Sequence, residues 1–402
     1  MKVAEQEKSS NEKIEENKLT ENKPIKKRDI SAELIRVIAC LLVIGNHLCL
    51  QVYNVYDVQV DWSRLFQRCF LTDCIPLFFM LTGFFIANGR SYKKIWKKTA
   101  KNVLLPTFIF VIFTQIFHPF IINRESFMYC LKTFDLNIDG IITAVLKADV
   151  SYLQGLCDHL WYIFAYVKII IWIPLLWLVC KNNKESNLAR RIMISLGLLS
   201  LFTSDIQRFV TFSFGKIEIL NLASTEILYV LLGYELFIHK DKFRNKKVLI
   251  VSLLLFGLIN VAKYEIEKQY MIINHFYDIV GRENFLDWKY TILNVISSVS
   301  LFVFLYSFEI KNEKLGNLLV WLSDKTFGIY LIHYLILAKV DLYKFEKIGK
   351  VVYELIYMAV GLVVVFIASI IIVLLLRKIR DLTIKIFKVI INVITPKAKN
   401  TN

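Results

Sequence analysis

The chain has 402 residues, is 56% hydrophobic and carries a formal net charge of +16, and its mean hydropathy is +0.51. This is more apolar than a soluble globular protein can bury, so the composition predicts an all-α, polytopic helical membrane protein. The basic excess then fits Lys and Arg in loops on one side of the membrane, and we expect no nucleic-acid partner. Seven cysteines without CxxC pairs or histidine spacing predict neither a metal site nor a disulfide framework.

The chain begins with a polar segment and a charged apolar run. Residues 1–29 are rich in Lys, Glu and Asn, which predicts a disordered cytoplasmic tail. The run Arg28–Leu50 is long enough to cross a bilayer as a helix, yet it contains Glu33, Arg36 and His47. Charged groups at that depth normally face a protein interior or a water-filled cavity. The spacing of Arg36 and His47 places them on nearly the same helix face, about 16 Å apart along the axis.

Nine further apolar runs follow, which gives about ten candidate transmembrane helices. They are Cys69–Asn88, Val103–Ile122, His159–Cys180, Ile192–Phe209, Leu220–Ile238, Val248–Ala262, Thr291–Glu309, Leu318–Ala338 and Val351–Leu376. Residues 30–376 therefore form one predicted transmembrane domain, and residues 377–402 form a basic cytoplasmic tail.

The distribution of basic residues predicts the orientation. Loops after the second, fourth and sixth runs, and the segment after the last run, are dense in Lys and Arg. The intervening loops 51–68, 123–158 and 263–290 are longer and less basic. By the positive-inside rule, both termini and the basic loops are cytoplasmic. Arg36 then lies toward the cytoplasmic side of the first span and His47 toward the outer side.

This orientation suggests a chemistry for the first span. Arg36 and the basic loop 90–101 share the cytoplasmic face, where such groups could hold a phosphorylated donor. Imidazole suits the removal of a proton from a hydroxyl nucleophile, so His47 is a candidate general base. In the alternative interpretation, Arg36 extends its side chain to the membrane surface, His47 packs at an interface, and the loop lysines only fix the orientation.

Three further residues are candidates for binding a substrate. His159 lies at the outer end of the fourth run, where it could bind an acceptor or, beside Trp161 and Tyr162, anchor the helix in the membrane interface. Tyr330 and His333 are three positions apart, so they share one helix face that could line a pocket inside the bundle.

Five pieces of sequence, taken in order, resemble the membrane acyltransferases of the acyltransferase-3 type, which include the O-acetyltransferases of bacterial surface polysaccharides. The first is Arg36 and His47 with ten residues between them, and the second is IPLFFMLTGFF, which has threonine where serine is usual. The others are a basic run leading to Pro106, DHLWY starting at Asp158, and GIYLIHY starting at Gly328.

This resemblance implies an acyl-CoA donor on the cytoplasmic side, with acetyl-CoA expected, and an acceptor hydroxyl on an envelope glycan or glycolipid at the bacterial plasma membrane. It implies that His47 is the essential histidine and Arg36 its partner. The third-span motif of the family is arginine-based, whereas this chain has Lys97, Lys98 and Lys101. Lysine holds a phosphate as a point charge but cannot supply a bidentate fork.

A transporter or exporter of a polysaccharide or a small polar molecule is the alternative function, because interior charges are equally expected there. The sequence contains no internal repeat and no paired Gly/Pro-broken helices in its two halves, which are the usual sign of alternating access. The pattern therefore favours an O-acetyltransferase, and transport stays open as the alternative.

Overall fold

The protein is helical throughout the part that a computed structural model describes, which comprises residues 28–53, 69–86, 91–122, 125–132, 137–153, 157–209, 224–273, 288–338 and 350–394. No strand occurs within these ranges. The helices are α1 (Ile30–Tyr53), α2 (Cys74–Phe84), α3 (Tyr92–Thr99), α4 (Leu105–Ile122), α5 (Phe127–Lys132), α6 (Ile138–Lys147), α7 (Trp161–Val179), α8 (Lys184–Phe209), α9 (Thr225–His239), α10 (Lys246–Ile273), α11 (Ile292–Ser307), α12 (Glu313–Ser323), α13 (Thr326–Leu337) and α14 (Lys350–Ile394).

Short irregular helices complete the described chain. A π-helical segment, Ala100–Leu104, joins α3 to α4, and 3-10 turns cover Val150–Tyr152, Asp158–Leu160, Lys240–Lys242 and Trp288–Tyr290. The predicted disordered tail lies outside the described residues, apart from its last two positions.

Each predicted apolar run coincides with at least one helix in the described part of the chain. Five stretches are long and apolar enough to cross a membrane, namely Ile30–Leu48, Tyr92–His118, Asp158–Val179, Lys246–Gln269 and Met358–Ile386. Shorter apolar helices cover Cys69–Phe84, Ile292–Ser307 and Thr326–Leu337. The all-helical membrane class is therefore confirmed, whereas ten crossings and two cytoplasmic termini stay predictions.

The ninth run, Leu318–Ala338, is not one helix, because a turn at Asp324 and Lys325 separates α12 from α13. Two arginines bind this turn. Arg28 Nη1 lies 2.8 Å from a carboxylate oxygen of Asp324, and Arg377 Nη2 donates to its main-chain oxygen over 2.5 Å. The turn is thereby tied to the start of α1 and to α14.

The last helix, α14, continues beyond the predicted end of its span at Leu376 to Ile394. At a rise of 1.5 Å per residue, this extension adds about 27 Å. The first part of the predicted basic tail is therefore helical.

Helix α1 lies at the centre of the bundle and contacts α2, α11, α12, α13 and α14. In its first half, Ile35 and Ala39 are fully buried in an apolar core shared with α2, α7, α9 and α11. In its second half, Ile44 and Leu48 are fully buried in a core shared with α4, α13 and α14. A central helix that contacts neighbours on several sides carries its polar residues in the protein interior.

Helices α2 and α9 cross with their backbones in close contact. A Cβ atom added at Gly83 would lie 1.8 Å from the carbonyl oxygen of Val230, and one added at Gly233 would lie 2.0 Å from that of Met80. Only glycine permits this approach at either position. The contact fixes α2, which carries several residues of the site, against the rest of the bundle.

The outer surface of the bundle is apolar. Leu258 on α10 is 68% exposed, and Leu175 on α7 and Val363 on α14 are likewise exposed. Large exposed apolar surfaces are unusual for a protein surrounded by water. Together with the five long apolar helices, they indicate that this surface contacts lipid.

Candidate active site

Three histidines from distant parts of the chain meet beside the second half of α1. The ring centres of His47 and His333 are 5.2 Å apart, those of His159 and His333 are 5.3 Å apart, and those of His47 and His159 are 6.5 Å apart. His159 comes from the 3-10 turn before α7, and His333 comes from α13. His159 and His333 are buried, at 2% and 0% exposure, whereas His47 is partly exposed.

Two tyrosines of α13 complete this histidine cluster. The ring of Tyr334 stacks on His159 with centres 5.1 Å apart and meets His47 edge-on at 5.3 Å. The ring of Tyr330 lies 5.4 Å from that of His159, and its hydroxyl donates to the main-chain oxygen of His159. The predicted pair Tyr330 and His333 therefore faces the bundle interior, as the shared helix face requires.

Hydrogen bonding fixes the tautomer of His333. Its Nδ1 lies 2.7 Å from the main-chain oxygen of Tyr330 and 3.3 Å from that of Ile329. Because a carbonyl oxygen can only accept, Nδ1 carries the proton in the neutral ring and Nε2 keeps its lone pair. This Nε2 is buried and has no hydrogen-bond partner among the described residues. The buried ring thus presents a proton acceptor inside the cluster.

Arg36, nearer the start of α1, is held by buried polar groups. Its Nη1 donates to the hydroxyl of Ser323 over 2.9 Å and pairs with the carboxylate of Glu33. The same carboxylate accepts from Ser323, and its other oxygen lies 3.2 Å from Nε of Arg28. Glu33 is 4% exposed, so its two arginine partners compensate a charge that would otherwise be costly to bury. The Arg36 guanidinium is consequently fixed in direction.

Arg36 also lines a cavity of about 300 Å³. The cavity lies among α1, α2, α3 and α7, and most of the side chains that line it are apolar. The other lining residues are Phe78, Leu81, Thr82, Phe85, Ile86, Ile95, Tyr162, Tyr166, Ile170 and Ile173. One cation at the edge of an apolar cavity suits a ligand with an anionic part and an apolar part.

The predicted lysines are separate from this cavity. Lys97 and Lys98 are exposed near the end of α3, and Lys101 is exposed in the following π-helical segment. On the opposite face of α3, Ile95 lines the cavity and Trp96 packs against the bundle core. The structure therefore brings Ile95 rather than the lysines to the cavity, and leaves the lysines exposed on the surface.

The structure divides the predicted site residues into three groups. His47, His159, Tyr330 and His333 form one cluster, Arg36 belongs to the cavity, and the lysines lie outside both. Sequence reasoning named Tyr162 only as a neighbour of His159 at the membrane interface and as the last residue of the DHLWY segment, and it did not single out Tyr334 or Ser323. Tyr334 was indicated only by its place in the GIYLIHY segment, and nothing in the sequence distinguishes Ser323 from other serines.

A second buried polar cluster lies among the start of α2, α10 and α11, and sequence reasoning missed it. Asp73 and Lys263 are both 0% exposed, and Lys263 Nζ lies 3.9 Å from a carboxylate oxygen of Asp73 and 3.1 Å from Oδ1 of Asn294. Hydroxyls of Ser297 and Ser298 donate to the carboxylate over 2.8 and 2.5 Å. This cluster ties three helices together and is separate from the histidines.

An apolar helical surface around a buried histidine cluster and a cationic cavity defines a membrane-embedded protein with an interior site. A family model described as an acyltransferase domain matches residues 29–390. This range is nearly the whole chain, so the chain belongs to the acyltransferase-3 family and is a membrane acyltransferase. Searches among curated proteins and among solved structures found no match.

Proposed function

We propose that the protein transfers an acetyl group from cytoplasmic acetyl-CoA to a hydroxyl of an envelope polysaccharide or glycolipid at a bacterial plasma membrane. The observation that carries this proposal is the pairing of the cationic cavity with the histidine cluster, since Tyr162 lines the cavity and contacts Tyr330 of the cluster. The cavity that would bind the donor and the histidines that would accept the proton thus lie next to each other inside the bundle.

The cavity supports the donor part of the proposal. The fixed guanidinium of Arg36 can form charge-assisted hydrogen bonds to a phosphate. The apolar wall suits the pantetheine arm, while the nucleotide is too large for about 300 Å³ and stays outside. There the exposed Lys97, Lys98 and Lys101 attract its phosphates electrostatically. This arrangement requires the predicted orientation, with Arg36 on the cytoplasmic side.

The histidine cluster supports the chemical part. In the proposed step, the acceptor hydroxyl gives its proton to a ring nitrogen of His47, and its oxygen attacks the thioester carbonyl carbon. The carbon–sulfur bond breaks, an oxygen ester forms, and the proton passes to the CoA thiolate, which leaves as the thiol. His159 and His333 hold the His47 ring by packing around it. A two-step route, with the acyl group carried transiently by His47, makes and breaks the same bonds overall.

Acyl transfer from radiolabelled acetyl-CoA to envelope material tests this function. Membranes would carry matched amounts of the wild type, His47→Ala or the control His239→Ala, which alters a histidine that is partly exposed at the end of α9. We expect the wild type and the control to incorporate label, and His47→Ala to lose it by about 10²-fold or more, as for the removal of a general base.

Two results would contradict the proposal. If His47→Ala incorporates as much label as the wild type, His47 is structural and the transporter interpretation takes precedence. If the wild type incorporates nothing from acetyl-CoA or from longer acyl-CoAs, acyl transfer from coenzyme A is the wrong reaction for this chain.

A further inference from the structure

Tyr162 lies between the cavity and the histidine cluster. It lines the cavity together with Arg36, and its ring centre lies 5.8 Å from that of Tyr330. Tyr330 in turn packs on His159 at 5.4 Å and on His333 at 6.0 Å. The Tyr162 ring therefore separates its part of the cavity from Tyr330 and the histidines.

The Tyr162 ring is held in place by aromatic neighbours. Its centre lies 5.2 Å from that of Phe79 and 5.8 Å from that of Phe78, both on α2. On its own helix, it stacks with Tyr166 at 6.2 Å. On these sides the ring cannot turn aside without displacing its neighbours, while its remaining side borders the cavity. Tyr162 is therefore a wall that packs against α2 and faces the cavity.

The far side of this wall is filled. The rings of His47, His159, His333 and Tyr334 are in contact, with centres between 5.1 and 6.5 Å apart. An acyl-CoA whose thioester reaches His47 has its pantetheine arm in the cavity and its acyl chain against these rings. Each added methylene then needs space that Tyr162 or the cluster occupies.

We propose that Tyr162 is a specificity-determining residue that restricts the donor to short acyl groups and so makes acetyl the transferred group. This inference rests on the proposed function and adds the residue that selects the acyl length. The phenol ring of Tyr162 limits the length of the acyl chain by the space that the ring occupies. Removing the phenol ring opens space next to the cluster, whereas removing only the hydroxyl does not.

The test is a competition between acetyl-CoA, butanoyl-CoA and hexanoyl-CoA in membranes that carry equal amounts of each variant. The wild type is expected to favour acetyl over hexanoyl by about tenfold or more, since each methylene rejected by a pocket changes the rate about 10- to 200-fold. Tyr162→Ala is expected to lower this ratio about tenfold, and Tyr162→Phe to keep it. Ile173→Ala enlarges the same cavity elsewhere, so it is the matched control and is expected to keep the wild-type ratio.

Three outcomes would overturn the inference, and one of them needs no variant. If the wild type transfers hexanoyl as readily as acetyl, no wall selects the acyl length. If Tyr162→Ala, or the milder Tyr162→Leu should the alanine variant fail to fold, keeps the wild-type ratio, the wall lies elsewhere. If Ile173→Ala changes the ratio as much as Tyr162→Ala does, total cavity volume sets the length. A wild type inactive with all three donors would instead overturn the proposed function itself.

Discussion

Asp73 and Lys263 form a buried ion pair, so removing one of the two charges should lower the stability of the fold. Removing one partner of a buried ion pair leaves the other uncompensated and costs about 3–5 kcal/mol, whereas replacing both by neutral groups costs far less. We therefore expect Lys263→Met to destabilise the protein strongly and the double variant Asp73→Asn/Lys263→Met to recover part of the loss. The measurement is the thermal unfolding midpoint of the detergent-purified protein.

The same helix offers the control for this prediction. Lys268 pairs with Glu265 at 3.6 Å, and both side chains are partly exposed, so Lys268→Met should change stability by less than about 1 kcal/mol. Equal effects of Lys263→Met and Lys268→Met would mean that the buried cluster does not stabilise the fold.

At the scale of single residues, the sequence pointed to polar or ionisable side chains within apolar runs or at their ends. His47 was singled out because it lies inside an apolar run, His159 because it lies at the outer end of one, and His333 because it shares a helix face with Tyr330. Lys263 was not recognised as an interior residue because it directly follows the apolar run that ends at Ala262. Ser323 was not recognised either, because a serine in an apolar helix costs little free energy and is therefore not unusual there. What each side chain contacts depends on helices far apart in sequence, and no single run contains that information.

At the scale of the helices, the crossing of α2 and α9 gives a specific prediction for stability and activity. Gly83→Ala would place a Cβ 1.8 Å from a carbonyl oxygen of α9, so the helices must separate, at a cost of about 1–3 kcal/mol or more. Because α2 carries Phe78 and Thr82 of the cavity wall, activity should fall with stability. The midpoint of thermal unfolding and acetyl transfer, measured on the same preparation, check both effects.

Gly257 on α10 is the matched control, because a Cβ there meets nothing within 4 Å. Gly257→Ala should leave the protein as stable as the wild type or raise its stability by up to about 1 kcal/mol through helix propensity. If Gly83→Ala has the same thermal unfolding midpoint as Gly257→Ala, helices α2 and α9 do not lie close enough to exclude a Cβ atom at Gly83.

The elements themselves were largely predictable, because apolar runs of spanning length show directly in the sequence. The break between α12 and α13 was not, since apolar residues continue on both sides of Asp324 and Lys325. The turn is held by Arg28 and Arg377, which lie almost 300 positions before it and about 50 positions after it. Only the folded bundle brings these arginines to the turn.

For the whole molecule, the predicted site follows from the central position of α1. One helix that is surrounded on several sides carries Arg36 into the cavity and His47 into the histidine cluster. The eleven-position spacing predicted a shared face, and the structure adds that Tyr162 of the cavity contacts Tyr330 of the histidine cluster. Sequence could not foresee this, because α7 and α13 meet α1 only through tertiary packing.

The orientation of the whole bundle decides which side supplies the donor, and cysteine labelling can measure it. The six native cysteines whose side chains the structure describes are buried, so a new cysteine at an exposed position reports its own side of the membrane once Cys49 is replaced by serine. With both termini cytoplasmic, Lys184→Cys and Lys246→Cys should be protected from an impermeant maleimide in intact cells. Asp139→Cys, on α6, should react.

Permeabilised cells are the control, since all three positions are exposed in the structure and should then react equally. The opposite pattern in intact cells would place the cavity of Arg36 and the surface lysines outside the cell, where coenzyme A is not available. A cytoplasmic donor would then have no route to His47 from the cationic side. Labelling thus tests the orientation on which the proposed direction of acyl transfer depends, independently of any activity measurement.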